Sequence, residues 1–201
     1  MNSKTVIASE EMTPVHLRAK RSVLAQKFGR TILRIMGWRV VGEIPSHERI
    51  LIIGAPHTSN WDFVLAMAAI LALNLKLRWL GKHTIFKPGV RWFMDWLGGI
   101  PVNRGQPESI VDNVARLVEQ DKGIVIGLAP EGTRKKVDTW KTGFYYIAKK
   151  ANVPILMFTL DFKNKVNKFS EPFYPTDDIE ADFKFMRAFF DGVEGKIPEY
   201  S

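Results

Sequence analysis

Ile124-Val125-Ile126-Gly127-Leu128 is an unbroken apolar run, with Gly123 before it and Ala129-Pro130 after it. Bounded so closely, it is too short for a helix and reads as a strand. It does not alternate with polar residues, so both of its faces must be covered, the condition of a strand inside a sheet flanked by helices. Ile50-Leu51-Ile52-Ile53, ended by Gly54-Ala55-Pro56, repeats the pattern. Val153-Pro154-Ile155-Leu156-Met157-Phe158 gives a third such run, with its proline tolerated at the strand start.

Helical patterns lie between these runs. Residues 61–74 are apolar nearly all round, which fits a buried helix. Pro107 to Gln120 carries Ile110, Val114, Leu117 and Val118 on one side and is stopped by Gly123. Residues 143–150 read as another helix, and Thr176-Asp177-Asp178 caps a last one to about Phe190. Shorter strands are expected at 38–41 and 75–80, and an edge strand within 165–174. The expected class is α/β: a single domain with a central, mostly parallel or mixed sheet covered by helices on both faces, and an N-terminal basic amphipathic helix. With 201 residues, 46% of them hydrophobic, there is material for one core and too little for two. Residues 1–12 read as a loose lead-in, 13–39 as the basic helical segment and 40–201 as the α/β domain.

The charge is uneven. Of a net +8, residues 1–39 contribute +6, from eight Lys and Arg against Glu10 and Glu11. A helix is expected from Thr13 to Met36, with Leu17, Leu24, Phe28, Ile32 and Ile35 within about 80° of one another and Lys20, Lys27, Arg30 and Arg34 on an adjoining side. Gly29 weakens its middle. Such a helix can lie in the headgroup region of an anionic membrane, or pack on its own domain and expose a basic face. Both readings stay open, and so does nucleic-acid binding, which the basic balance allows but no motif supports. No segment reaches the ~20 apolar residues that span a bilayer, and the first residues lack the apolar core of a secretory signal. Cys is absent, which excludes disulfides, thiolate nucleophiles and Cys-based zinc sites, and suits a reducing compartment.

Chemistry concentrates after the strands. His57-Thr58-Ser59-Asn60-Trp61-Asp62 follows the Ile50–Ile53 run. Within one helix, His57 and Asp62 would point about 140° apart. They can meet only if His57 sits in the loop before the helix and Asp62 points back, with Ser59 as cap. A histidine so placed can move protons near neutral pH while the carboxylate fixes its tautomer. Gly98-Gly99-Ile100-Pro101-Val102-Asn103-Arg104 ends a segment rich in Trp and Phe. Ala129-Pro130-Glu131-Gly132-Thr133-Arg134 follows the central strand, at the edge where open α/β sheets hold ligands.

With His57…Asp62, Gly99…Arg104, Glu131-Gly132-Thr133-Arg134 and Val153-Pro154 in this order, the chain resembles the glycerolipid acyltransferase family, whose best-known members are lysophosphatidate acyltransferases. The resemblance covers roughly residues 40–175. Pro56 stands where the family usually has Asn, Pro101 where it has an aromatic residue, Ala129 where it has Phe and Met157 where a second proline is common. The resemblance implies an acyl group moved from acyl-CoA or acyl-carrier protein to the hydroxyl of a lysophospholipid, chiefly 1-acylglycerol-3-phosphate, in phospholipid biosynthesis. Another lyso-lipid, such as a lyso-ornithine lipid, is the alternative acceptor. It implies His57 as general base oriented by Asp62, and Arg104 and Arg134 on the acceptor phosphate. Glu131, Gly132 and Thr133 would sit beside the glycerol, and Lys82 would face the oxyanion. No cofactor or metal is expected, and no nucleic acid. The expected location is the cytoplasmic face of a membrane, held peripherally or monotopically, without a transmembrane span. Ser59, the nearby nucleophile to weigh, is two residues from His57 and poorly placed for it.

Overall fold

The computed structural model describes residues 8–103, 105 and 107–201. In chain order the elements are α1 (Val23–Met36), β1 (Arg39–Val41), β2 (Arg49–Ala55), α2 (Asn60–Ala72), β3 (Leu77–Lys82), α3 (Arg91–Trp96), β4 (Gly99–Val102), α4 (Pro107–Gln120), β5 (Ile124–Leu128), α5 (Gly143–Ala151), β6 (Ile155–Thr159), β7 (Val166–Lys168) and α6 (Ile179–Ala188). β4-β3-β5-β2-β6 form a five-stranded sheet in which every pairing is parallel. β1 and β7 make a separate two-stranded parallel ladder.

The three apolar runs became the three strands β5, β2 and β6, which lie side by side. Their alternate residues serve opposite cores, as double coverage requires. Ile50, Ile52, Val125, Leu156 and Phe158 pack under α1 and α2. Leu51, Ile53, Ile124, Ile126, Ile155 and Met157 pack under α4, α5 and α6.

Two boundaries differ from the sequence expectation, for one reason. The helix expected from Thr13 begins only at Val23, after short 3-10 turns at Glu10–Met12 and Val15–Leu17. The strand expected at 75–80 begins only at Leu77. Segments 17–19 and 74–76 bind each other instead: Ala19 N–H donates to Asn74 O, Lys76 N–H to Leu17 O, and Arg18 bridges Leu75 antiparallel. Tertiary bonds take the backbone groups that a helix or a ladder would have used. The edge strand within 165–174 is reduced to β7, which pairs with β1; Phe169 and Phe173 join the backbone of β6 by isolated bridges.

α1 runs unbroken through Gly29, which is a contact point. A Cβ there would come within 2.5 Å of Ala68 O and 2.8 Å of Ala72 N on α2. Gln26, Gly29 and Leu33 form the buried face. Of the apolar stripe, for which packing and membrane contact were both open, Leu24, Phe28 and Ile35 turn outward, 78, 61 and 80% exposed, while Ile32 is partly buried against the core.

Candidate active site

β2 and β5 are paired so that Ile53 stands opposite Leu128. The loops leaving their carboxyl ends therefore emerge side by side, one carrying His57 and the other Glu131. Ser59 is the N-cap of α2: its Oγ accepts from Trp61 N–H at 3.0 Å. Asp62, the third helical residue, reaches back to Ser59 N–H at 2.6 Å, which completes a capping box and satisfies donors the helix start leaves free.

The same Oδ2 of Asp62 accepts from Thr58 N–H at 2.6 Å and meets Nδ1 of His57 at 3.0 Å. A carboxylate oxygen only accepts, so Nδ1 carries the proton and Nε2 keeps its lone pair. Asp62 is 1% exposed, while the His57 side chain is 29% exposed. The carboxylate is sealed in and the imidazole is reachable. Ser59 Oγ is occupied at Trp61 N–H and Asp62 Oδ1, as a cap rather than as a nucleophile on the histidine.

Glu131 lies across from this loop. Its Oε2 accepts from the backbone N–H of His57 at 2.8 Å. Burial pushes its carboxyl up to about 7, against the opposing pull of that N–H. Gly132 follows at φ +66°, a left-handed turn that a side chain would strain. Thr58 Oγ1 accepts from Ile197 N–H at 3.2 Å. The histidine loop is thus held by its own helix, by the β5 loop and by the segment after α6.

The 131–134 turn extends towards α2, where Arg134 Nη1 donates to Asn60 Oδ1. Thr133 Oγ1 accepts from Lys135 N–H at 3.4 Å. Lys82 is the exposed last residue of β3, the strand on the other side of β5. Arg104 lies outside the described residues. On the opposite side of the His57 and Glu131 loops is a cavity of about 210 Å³ lined by Pro56, Glu131, Lys136, Trp140, Arg187 and Phe190, among others. Sequence reasoning named Glu131 there but gave Lys136 no role. Arg187 and Phe190, on or just after α6, carry no motif, and neither does Ile197; only the folded chain brings them to the site. Asn60 and Arg134 were both in view in the sequence, but their pairing across 74 residues was not.

A parallel α/β sheet with a carboxylate-oriented histidine and an Arg-bearing turn at its carboxyl edge is a class of site suited to proton removal beside an anion. The family model described as Acyltransferase matches residues 37–160, more than half of the chain, and the chain belongs to that family. A chloroplastic 1-acyl-sn-glycerol-3-phosphate acyltransferase of Brassica napus is 33% identical over 115 residues, covering 55% of this chain and 33% of its own. Its counterpart from Arabidopsis thaliana is 32% identical over 117 residues, covering 56% and 33%. The chain thus spans about a third of the length of these curated relatives. The crystal structure of the 1-acyl-sn-glycerophosphate acyltransferase PlsC from Thermotoga maritima superposes with a TM-score of 0.59 at 20% identity, over 83% of this chain and 75% of that one, a likeness of fold.

Proposed function

We propose that the protein is an O-acyltransferase that moves a fatty acyl group from an acyl-CoA or acyl-carrier-protein thioester to a lysophospholipid hydroxyl, with 1-acylglycerol-3-phosphate as acceptor. The observation that carries this reading is the bond from His57 Nδ1 to the buried Asp62, which leaves Nε2 as a base on a reachable ring. Nε2 takes the proton of the acceptor hydroxyl as its oxygen attacks the thioester carbonyl carbon. The tetrahedral intermediate collapses with cleavage of the C–S bond, and the imidazolium returns the proton to the leaving thiolate. A base so positioned contributes on the order of 10²–10⁴-fold. Asp62 stabilises the charged ring between the two steps.

Arg134, with Arg104 from the second motif, holds the acceptor phosphate, where guanidinium forks bind two oxygens at once. Gly132 and Thr133 sit beside the glycerol, and Glu131 fixes the histidine loop from behind. Lys82 supplies positive charge to the oxyanion. The acceptor is tested with one acyl-CoA and a panel of lyso-lipids. Lysophosphatidate should give the fastest thiol release; none with lysophosphatidate, but release with a lyso-ornithine lipid, would replace the acceptor.

The substrate lies in a bilayer, and the surface supports peripheral contact with an anionic membrane. Leu24, Phe28 and Ile35 form an exposed apolar line on α1, with exposed Lys27 and Arg34 to one side. Arg21, just before α1, lies 6.0 Å from the ring of Trp96 on α3, where Trp92 is 70% exposed. Apolar anchors flanked by cations match the boundary between acyl chains and anionic headgroups. Among the described residues no helix is long and apolar enough to cross a membrane. On this reading the protein lies on the cytoplasmic face of the membrane.

A further inference from the structure

The two substrates of such a transfer each bear phosphate: the glycerophosphate of the acceptor, and the phosphopantetheine of a CoA or carrier-protein donor. The turn at Arg134 leans to one side of the histidine loop, towards α2. On the other side, towards α6, lies the cavity of about 210 Å³, with Glu131 and Pro56 in its wall. α2 and α6 belong to cores on opposite faces of the sheet, so the two cation sites flank the histidine loop from different layers.

Lys136 and Arg187 both line this cavity. Neither forms an ion pair with a carboxylate among the described residues. Arg187 donates from Nη1 to Asp138 O at 3.0 Å and sits 5.5 Å from the ring centroid of Trp140, which fixes its plane. Its Nε is buried and has no hydrogen-bond partner among the described residues. The guanidinium that lines the cavity is thus held in place without a carboxylate partner, a fork set for an anion. Asp191 also lines the cavity. Glu131 is the other carboxylate side chain there, and burial raises its pKa to about 7.

We propose that Lys136 and Arg187 form a second phosphate subsite, distinct from the one at Arg134, for the phosphate-bearing end of one of the two substrates. The assignment rests on the acyl-transfer reading, and its chemistry is common to donor and acceptor. The test compares the parent with Lys136→Met/Arg187→Met and with Arg187→Lys. Initial rates are taken with acyl-CoA, with the phosphate-free acyl-pantetheine and with lysophosphatidate. Calorimetric titrations use free CoA and sn-glycerol-3-phosphate.

Losing charge-assisted contacts should raise one KM roughly tenfold or more, with Arg187→Lys in between. A rise for acyl-CoA but not for acyl-pantetheine places the donor's phosphate in the cavity. A rise for lysophosphatidate alone places the acceptor's phosphate there. Both KM values within about twofold of the parent, with or without a fall in kcat, would overturn the subsite. If the parent transfers no acyl group, the titrations still decide: binding of CoA or glycerophosphate that the double variant loses upholds the subsite, and no binding by the parent rejects it.

Discussion

The backbone N–H of His57 donates to Oε2 of Glu131 at 2.8 Å, joining two loops 74 residues apart. The contact makes the acid of the β5 turn a support for the base. Glu131→Ala should leave this N–H without its partner, costing about 1–3 kcal/mol of stability, and should reduce acyl transfer through displacement of the histidine loop. Glu131→Gln, which keeps a carbonyl oxygen for that N–H, should retain most of the stability. Thermal melts of the three proteins check this; equal losses for Ala and Gln would remove the positioning role.

Glu131 also sets a pH dependence. Its folded pKa, about 7, lies above the ordinary 4.5, so the folded state holds the proton more tightly. The sign follows: stability is fully present below about pH 4.5 and declines as pH rises towards 7, by up to about 3 kcal/mol from this residue. Glu131→Gln should flatten that decline. Melting temperatures of parent and variant at pH 5 and pH 8 measure it; an unchanged difference between the two pH values would contradict the assignment.

Asp62 serves the helix and the histidine together. Asp62→Ala removes the acceptor of Thr58 N–H, Ser59 N–H and His57 Nδ1–H. It should cost at least about 1–3 kcal/mol, since a buried N–H and two further donors lose their acceptor, and lower kcat by 10²-fold or more, to order of magnitude, as the ring loses its tautomer. Denaturant melts beside rate measurements separate the two effects. A stability loss with undiminished kcat would leave Asp62 as a cap alone.

How legible this arrangement was in the sequence differs from part to part. The apolar runs at 50–53 and 124–128 announced doubly covered strands, because such a run has no other stable home. His57 before the helix and Asp62 pointing back followed from the geometry of a helical turn, and Ser59 is the cap. The bond between His57 and Glu131 was not legible, since it depends on β2 and β5 being neighbours in a register that no local pattern encodes. The orientation of α1 stayed open in the sequence for a related reason. Its wheel showed a stripe but not which side would pack, and Gly29 decides that by allowing α2 closer than any side chain would.

Gly29 therefore has a measurable weight. Gly29→Val would place carbon atoms against Ala68 O and Ala72 N. Overpacking of this kind costs about 1–3 kcal/mol, more than the helix propensity it gains. Urea denaturation should show a lower midpoint with the same slope; a stabilised variant would mean that α1 is free to move away from α2.

The outward stripe makes its own prediction. Phe28→Glu/Ile35→Glu should weaken sedimentation with vesicles containing phosphatidylglycerol by tenfold or more, since each buried apolar side chain is worth about 1.5–3 kcal/mol. Fold and thermal stability should be unaffected, because both side chains are exposed. Unchanged vesicle binding would take the membrane contact away from α1.

The central claim is that His57 is the base of an acyl transfer. Thiol release from acyl-CoA, measured with and without lysophosphatidate, tests it in the parent and in His57→Ala. The account predicts release that requires the acceptor and falls by on the order of 10²–10⁴-fold in the variant, whose circular dichroism stays that of the parent. Acceptor-dependent release at the parental rate by a folded His57→Ala protein would contradict it.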